Sequence, residues 1–346
     1  MVTSFPPNGL KAGPRNLITD VDGIKVGQAE DVSACTGATV ILPDAPVTAA
    51  VNVMGGAPGT RETDALDPSR LLGGVIDAVT LSGGSVYGLD AGSGVTAWLG
   101  ARGRGFEIAG SDVRAPIVPG AILFDLSNGG DKGWGEEPPY RRLGAEAAAA
   151  ASESFELGNA GAGFGARAGS IKGGTGSASL VSDDGLQIGA LMAVNSYGSA
   201  IVPGTKAFWA APFEREGEFG GVAPASLSPD AEWLEGTKAG NLGLRQNTTI
   251  GIVATNADLT AAECNRVAVM AHDGLSRALR PAHAPVDGDV IFVIATGTHA
   301  LGDDMRVRHL SEIGTYAGDC VARAIARGVF EAGTLGDMVG YRDAAK

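Results

Sequence analysis

Strand-like apolar runs alternate with helix-like patterns along the whole chain of 346 residues, and this alternation limits the folds that it can adopt. The runs TGATVILP, TAAVNVMGG and TIGIVAT are typical of strands. Cys264, Val267 and Ala271 recur instead at the spacing of a helix face, behind a capping-box pattern formed by Thr260 and Glu263. We therefore predict a layered α/β (α+β) architecture in a single domain over residues 1–346.

Further local patterns refine this prediction. The stretch LITDVDGIKVGQAED alternates apolar and polar residues around a DG turn, which predicts a hairpin. A helix is expected from Val86 to Leu99, and a last helix carries Ile313 and Ala324. Residues 203–246 are irregular and longer than an ordinary connection, which is typical of functional or mobile segments.

Composition and charge narrow the class of protein. Apolar residues make up 44% of the chain, which indicates a soluble globular protein. A net charge of −13 repels phosphate groups, so we expect no nucleic-acid partner. No apolar run is long enough for a bilayer and no signal-peptide pattern is present, so we expect no membrane association and a cytoplasmic location. The three cysteines form no CxxC, which argues against a zinc knuckle or a disulfide scaffold.

The common catalytic and nucleotide-binding motifs are absent from the sequence. GAGFGARAG lacks the preceding strand and the following helix of a dinucleotide loop, and in KGGTGSAS the lysine precedes the glycines, unlike in a P-loop. No serine stands in a GxSxG pattern, and the four histidines form no HExxH. We therefore predict no cofactor and no metal, and a hydrolase of this sequence needs a nucleophile that is activated in another way.

The junction NTTIGIVATNADLT suggests such a nucleophile, because two threonines stand where a polar segment meets a strand. An N-terminal threonine carries its own base, since its α-amine has a reference pKa of about 7.7–8.0. Thr248 becomes N-terminal only if the peptide bond after Asn247 breaks. We hypothesise that its hydroxyl attacks the Asn247 carbonyl and that water then releases the amine. From spacing alone, a loop that simply meets a strand is the better interpretation.

Several long motifs favour self-cleavage at Thr248 over a simple junction of loop and strand. GPRNLITDVDGIKVGQ, TGATVILP, SGGSVYGLDAGSGV, GAGFGARAGSIKGGTGSAS, MAVNSYGS and NTTIGIVATNADLT follow one another as in the DmpA-type self-processing aminopeptidases (peptidase family S58, also called P1). The chain resembles this family over nearly its full length, and its Thr-Thr start is most similar to the nylon-oligomer hydrolase branch (6-aminohexanoate-oligomer endohydrolase). The resemblance implies a four-layer αββα sandwich of the N-terminal-nucleophile-hydrolase-like type.

The resemblance also implies roles for individual residues. Thr248 matches the nucleophile that processing creates, and Asn195 matches an amide that helps to hold the oxyanion, where one donor is worth roughly 3–4 kcal/mol. Asp287 and Asp289 match an acidic pair that orients the Thr248 amine, although the residues alone favour a DG turn that leads into a strand. Lys172 either polarises the hydroxyl or the oxyanion, or is a surface lysine beside a glycine turn.

The sequence departs from the family pattern at two positions. Phe124 stands where some members carry an oxyanion tyrosine, so either Tyr140 or a backbone N–H substitutes, or the oxyanion hole is weaker. The nylon-oligomer enzymes have a lysine near the position that aligns with Ser170, which leaves the equivalence of Lys172 open.

The family implies a chain that divides into a large chain, residues 1–247, and a small chain, residues 248–346, which stay associated in a homotetramer or larger ring. The expected substrate is a small peptide or a linear amide oligomer, which forms an acyl ester on Thr248 that water hydrolyses. One alternative is an acyltransferase like the ornithine acetyltransferases, which passes the acyl group to an amine. Another is a non-catalytic assembly protein with the same fold, whose chain stays intact.

Overall fold

The structure is a computed structural model that describes residues 9–70, 73–223, 234–239 and 247–344. Within these ranges the strands are β1 (Ile24–Asp31), β2 (Thr36–Pro43), β3 (Val47–Val53), β4 (Thr60–Arg61), β5 (Val75–Ile76), β6 (Val79–Ser82), β7 (Phe106–Glu107), β8 (Arg114–Ala115), β9 (Gly120–Ile122), β10 (Arg167–Ala168), β11 (Ile171–Lys172), β12 (Gly174–Val181), β13 (Gln187–Asn195), β14 (Thr248–Ala257) and β15 (Val290–His299). The α-helices are α1 (Ala91–Gly100), α2 (Tyr140–Ala149), α3 (Ala261–Ala271), α4 (Asp273–Ala278), α5 (Arg306–Glu331) and α6 (Tyr341–Ala344). None of these helices combines the length and the apolar character that a membrane span requires.

The larger sheet has the strand order β12-β13-β14-β15-β3-β5. Its central pair β14–β15 is parallel and its other pairs are antiparallel. One face packs against α3, α4 and α5, where Val253 and Val293 share a cluster with Val267 and Val321. Since successive residues of a strand point to opposite faces, the other face of the same strands is free to contact a second sheet.

The smaller sheet has the strand order β1-β2-β6-β9-β4, with a parallel β6–β9 pair and antiparallel neighbours elsewhere. Helices α1 and α2 cover its outer face, and Val40 of β2 lies in a cluster with Leu99 and Leu143 of these helices. The sheet is therefore the second inner layer of the molecule.

A third apolar cluster joins the two sheets. Ile41 and Leu81 of the smaller sheet lie in it with Ile252 and Phe292 of the larger sheet, and all four are fully buried. Burial of an apolar side chain of this size stabilises a fold by about 1.5–3 kcal/mol. The layers follow the order helix, sheet, sheet, helix, so the predicted αββα sandwich is confirmed, and strands covered on both faces explain the continuous apolar runs of β14 and β15.

One local prediction was wrong, and the helix expected from Val86 to Leu99 is present but of two types. The DG turn closes no hairpin: β1 begins directly after Gly23, and it pairs with β2 across residues 32–35. The segment Ser85–Asp90 is a 3-10 helix, and only Ala91–Gly100 is α-helical.

The irregular segment is only partly described. Its described residues contain one short 3-10 helix, Ala211–Phe213. Residues 224–233 and 240–246 of this segment lie outside the described ranges.

The predicted capping box is confirmed at the start of α3. Thr260 Oγ1 accepts a hydrogen bond from the Glu263 N–H at 3.3 Å, and Glu263 Oε2 accepts one from the Thr260 N–H at 2.8 Å. The loop between β14 and α3 is thereby fixed.

Replacing this cap tests its contribution. We expect Thr260→Ala to lower the free energy of unfolding by about 1 kcal/mol, because it leaves helix N–H groups without an acceptor. Thr260→Ser keeps a hydroxyl and is expected to retain most of the stability. Urea unfolding followed by circular dichroism measures both, and equal losses in the two variants would show that the cap is not the cause.

Candidate active site

Thr248 is the first residue of a strand that is held on both sides. β14 pairs with β13 so that Asn195 lies opposite Thr248, and it pairs with β15 on its other edge. All ten residues of β14 are buried, and Thr248 itself is 4% exposed. The hydroxyl therefore lies at the start of a central strand of the larger sheet, where the two neighbouring strands fix its position.

The hydroxyl of Thr248 contacts the carbonyl group that it is expected to attack. Its Oγ1 donates a hydrogen bond to the Asn247 carbonyl oxygen. The Gly288 N–H donates to the same oxygen at 3.1 Å, and Asn247 forms a parallel bridge with Asp287. The carbonyl thus faces both a hydroxyl and a backbone donor of the kind that stabilises a developing oxyanion.

Asp289 lies beside the start of β14 and is 2% exposed. Its Oδ1 accepts the Thr249 N–H at 2.9 Å, and its Oδ2 accepts the His283 N–H at 3.0 Å. The His283 ring follows, with Nδ1 2.8 Å from Oδ2. Donors that converge on a buried carboxylate offset its loss of hydration, so the aspartate is a fixed part of the site rather than part of a simple surface turn.

Asp287 is the second buried carboxylate. Its Oδ1 accepts the Tyr197 N–H and its Oδ2 accepts the Ala284 N–H, each at 3.1 Å. Burial, together with the charge of neighbouring Asp289, raises the pKa of Asp287 well above its ordinary value, and Lys238 opposes this shift. The pair therefore has one carboxyl group that takes up a proton more readily than an exposed aspartate does.

The amide of Asn195 is oriented by its hydrogen bonds. Its Oδ1 accepts the Arg167 N–H at 2.9 Å and lies 3.3 Å from Asn128 Nδ2, while its own Nδ2 donates to the Phe124 carbonyl at 2.8 Å. A backbone N–H can only donate, so Arg167 fixes which end of the amide is oxygen. Phe124 thus contributes to the site through its backbone carbonyl, which accepts the hydrogen bond from the Asn195 amide.

Lys172 is fully buried, so the surface interpretation of this lysine was wrong. Its Nζ donates to the carbonyls of Gly163 at 3.1 Å and Gly173 at 2.6 Å, and burial lowers its pKa to about 7. In the β10–β11 pair it lies opposite Arg167, whose N–H binds Asn195. Lys172 therefore acts on the site indirectly. Its ammonium group holds the backbone of the segment in which the Arg167 N–H binds Asn195.

The two positions that departed from the family pattern also have defined places. The Tyr140 hydroxyl donates a hydrogen bond to Thr36 of the smaller sheet at 3.3 Å, so its proton is used in that layer and not at Thr248. The other substitute considered for the missing tyrosine was a backbone N–H. The Gly288 N–H fits this role, because it donates to the Asn247 carbonyl oxygen. Ser170 is exposed, and its N–H donates to the Gly236 carbonyl.

The sequence did not identify two residues of this site. Lys238 places its Nζ 3.1 Å from the Asn195 carbonyl oxygen, and His283 binds Asp289. The His283 ring packs edge-on against His272, with ring centroids 5.0 Å apart, and desolvation lowers the pKa of His272 to about 4. Neither Lys238 nor His283 stands in a periodic pattern, so only the fold shows their proximity to Thr248.

The site supplies hydroxyl, amide, carboxylate and ammonium groups. Within the described ranges, no three His, Cys, Asp or Glu side chains are placed together to hold a metal ion.

A sequence model of peptidase family S58 matches residues 16–342 of the chain. The chain belongs to this family. An uncharacterized aminopeptidase of Mycobacterium bovis is 42% identical over 344 residues, which cover 95% of this chain and 97% of that relative. A 6-aminohexanoate-oligomer endohydrolase of Kocuria sp. is 30% identical over 302 residues, covering 82% of this chain and 76% of the relative.

A solved structure agrees with the fold of this S58 member. The L-aminopeptidase D-Ala-esterase/amidase of Ochrobactrum anthropi, described as a variant of the Ntn hydrolase fold, superposes with a TM-score of 0.71 at 22% identity, over 97% of this chain and 93% of the other. With the family match, the resemblance seen in the sequence is confirmed, and the chain is a hydrolase that acts on amide bonds.

The raised pKa of Asp287 can be measured directly. We expect its carboxyl group to titrate more than one pH unit above the ordinary value of about 3.9. Because the folded pKa exceeds the unfolded one, this group stabilises the fold most at low pH, and the contribution is lost as the pH rises through the folded pKa. Carbon-13 NMR of labelled aspartates, with Asp287→Asn for assignment, follows the titration.

Asp67 provides the internal comparison for that titration. The Ser69 N–H donates to its carboxylate and lowers its pKa. Asp67 is therefore expected to titrate at the acidic end of the aspartate signals. An Asp287 midpoint at or below that of Asp67 would contradict the burial and charge repulsion inferred for the pair.

Proposed function

We propose that the chain is a self-processing hydrolase that cleaves amide bonds through an acyl ester on Thr248. The observation that carries this proposal is the contact of the Thr248 hydroxyl with the Asn247 carbonyl, together with the Gly288 N–H on the same oxygen. Nucleophile, scissile carbonyl and oxyanion donor are all present in one chain, so the intact protein is its own first substrate.

The first reaction severs the chain. Thr248 Oγ forms a bond to the Asn247 carbonyl carbon, and its proton passes to the departing Thr248 nitrogen as the C–N bond breaks. The Gly288 N–H stabilises the negative charge on the carbonyl oxygen during this step. The product is an ester between Asn247 and the Thr248 hydroxyl. The α-amine of Thr248 is already free in this ester, and water then hydrolyses the ester to a new carboxylate on Asn247 and the free hydroxyl of Thr248.

The second reaction is turnover on a substrate. The free α-amine of Thr248 accepts the proton of its own hydroxyl, which attacks the substrate carbonyl and forms an acyl ester. The amine then returns the proton to the leaving nitrogen, and water releases the acyl group. An amine pKa of about 7.7–8.0 suits both transfers near neutral pH.

The surrounding side chains support these steps. Asn195 lies opposite Thr248 and serves as an oxyanion donor during turnover, since its amide is held in one orientation. Asp289 fixes the backbone at Thr249, and Asp287 fixes the loop at Tyr197. Both carboxylates favour the positive charge that develops on the Thr248 amine. Lys172 anchors the loop that orients Asn195.

The two products of cleavage remain associated in this proposal. The large chain of residues 1–247 supplies β13 and β3, and the small chain of residues 248–346 supplies β14 and β15, which lie between them. Separation would expose Ile252, Phe292 and their neighbours in both apolar layers. Loss of so much buried apolar surface makes dissociation unfavourable.

The substrate class follows from the relatives. One is named as an aminopeptidase and another as a 6-aminohexanoate-oligomer endohydrolase, so we propose small peptides with a free amino terminus or linear amide oligomers as substrates. Processed protein should be assayed on amino-acid p-nitroanilides and on linear 6-aminohexanoate oligomers. A homotetramer or larger ring in the cytoplasm is proposed by analogy with the family, and size-exclusion chromatography with light scattering tests the oligomer.

Self-cleavage is tested by the length of the chain. Purified wild-type protein is expected to give two bands on a denaturing gel, and N-terminal sequencing of the smaller band should begin Thr-Thr-Ile. Thr248→Ala removes the hydroxyl and is expected to leave one intact chain, whereas Thr248→Ser keeps a hydroxyl and is expected to cleave. An uncut wild-type chain, or a Thr248→Ala chain cut at the same bond, would falsify the proposal.

The limited space around the Thr248 hydroxyl gives an independent test of its role in self-cleavage. A Cβ added at Gly288 would lie 2.8 Å from Thr248 Oγ1 and 2.8 Å from the Ala57 carbonyl oxygen. We expect Gly288→Ala to displace the hydroxyl and to slow self-cleavage by about 10²-fold, because small misplacements of reacting groups have effects of that size. Cleavage is followed by mass spectrometry after rapid synthesis in vitro.

Gly302→Ala is the matched control for that variant. Gly302 has a negative φ of −64°, and nothing lies within 4 Å of an added Cβ, so its substitution is expected to leave the rate unchanged. If Gly288→Ala cleaved as fast as Gly302→Ala, the position of the hydroxyl seen here would not be the reactive one.

A further inference from the structure

Lys238 belongs to a short described segment, residues 234–239, that docks on the active site. The Ser170 N–H donates to the Gly236 carbonyl at 2.8 Å, and the Lys238 N–H donates to the Tyr197 carbonyl at 3.0 Å. Two backbone hydrogen bonds thus attach the segment to loops on either side of Asn195. Lys238 stands nine residues before Asn247, so on the proposed cleavage it stays with the large chain.

The ammonium group of Lys238 faces acceptors. Its Nζ donates to the Asn195 carbonyl oxygen at 3.1 Å and lies 3.3 Å from Asn195 Oδ1. Two charged side chains act on it: Asp287 favours its charged form, and Arg167, which is paired with Asp337 at 2.8 Å, disfavours it. The residue as a whole is partly exposed, but desolvation at its tip lowers the pKa of Lys238 to about 7.

We propose that Lys238 is a positioning residue whose ammonium group fixes the side-chain amide of Asn195 and balances the carboxylate of Asp287. The inference rests on the proposed function, in which Asn195 is an oxyanion donor. The ammonium can only donate hydrogen bonds, so it holds Asn195 Oδ1 on its own side and leaves the NH₂ group on the opposite side. The backbone of the same residue binds Tyr197, whose N–H binds Asp287.

Through these contacts, the side chain of Lys238 acts on both Asn195 and Asp287. Removing the ammonium takes one donor from Asn195 Oδ1, which keeps the Arg167 N–H and Asn128, while the Phe124 carbonyl still accepts from the NH₂ group. It also removes the positive charge that opposes the upward shift of the Asp287 pKa, while Asp289 remains as a repelling neighbour. The amide becomes less fixed and Asp287 becomes harder to ionise, so turnover is expected to suffer more than substrate binding.

The decisive experiment compares Lys238→Arg with wild type. The processed proteins are assayed from pH 5 to pH 10 on whichever p-nitroanilide or 6-aminohexanoate oligomer the wild type turns over. Wild-type kcat is expected to fall on the alkaline side near pH 7, as Lys238 loses its proton. Arginine stays charged throughout this range, so the alkaline limb of the variant is expected to move to higher pH. A profile that superimposes on that of the wild type overturns the inference.

Lys238→Met tests the loss of the charge. We expect kcat to fall by about 10²-fold with a much smaller change in KM, because the reacting groups are misplaced while the pocket remains. Failure of Lys238→Met to self-cleave, while Lys238→Arg cleaves, also supports the inference. If the methionine variant does not fold, Lys238→Gln replaces it, and it is expected to lack the wild-type alkaline limb. Wild-type kcat and pH profile in the uncharged variant contradict the inference.

Lys25 supplies the matched control. It forms an exposed ion pair with Asp44 at 2.6 Å, so Lys25→Arg and Lys25→Met make the same chemical changes on the surface. Both controls are expected to keep the wild-type pH profile, and a shift in them would show that overall charge causes the effect. A wild-type chain that never cleaves contradicts the proposed function itself, whereas a cleaving, active wild type with an unshifted Lys238→Arg profile contradicts only the role of Lys238.

Discussion

The pairing of three adjacent strands is the constraint on which the site depends. β13, β14 and β15 place Asn195, Thr248 and the segment from Asp287 to Asp289 side by side at one end of the larger sheet. A shift of one residue in either pairing would turn these side chains to the other face, and the apolar residues of the same strands prevent it because both faces are buried. The core that stabilises the fold therefore also sets the register of the reacting groups.

Buried charge has a free-energy cost that this site offsets locally. Asp289 receives N–H groups from Thr249 and His283, and Asp287 receives them from Tyr197 and Ala284. Such donors compensate for lost hydration but do not remove the repulsion between two neighbouring carboxylates. The raised pKa of Asp287 reflects its burial first and this repulsion second, and the charge of Lys238 opposes the shift only in part.

The sequence predicted what depends on residues close together in the chain or on long motifs. The capping box needs only Thr260 and Glu263, and the αββα fold was implied by the family resemblance that the long motifs carry. Lys238 was missed because its segment has no periodicity and its contact with Asn195 joins positions 43 residues apart. Gly288 was missed because its contribution is a backbone N–H, which every residue except proline has. Lys172 was identified, but its route to Asn195 through the β10–β11 pair is visible only in the fold.

The charges of the site are best explained by comparing the intact chain with the chain after the proposed cleavage. In the intact chain, the charge of Asp287 acts on Lys238, Asp289 is bound to His283, and the Thr248 nitrogen is an uncharged amide. On the proposed cleavage that nitrogen becomes an amine, which must gain a proton each time the hydroxyl attacks. In the proposed turnover, the carboxylate of Asp289, which is held next to Thr248 through the Thr249 N–H, stabilises the ammonium that forms at that moment more than the neutral amine before it, which is the difference that accelerates a reaction. We expect the same ammonium to offset part of the repulsion between Asp287 and Asp289.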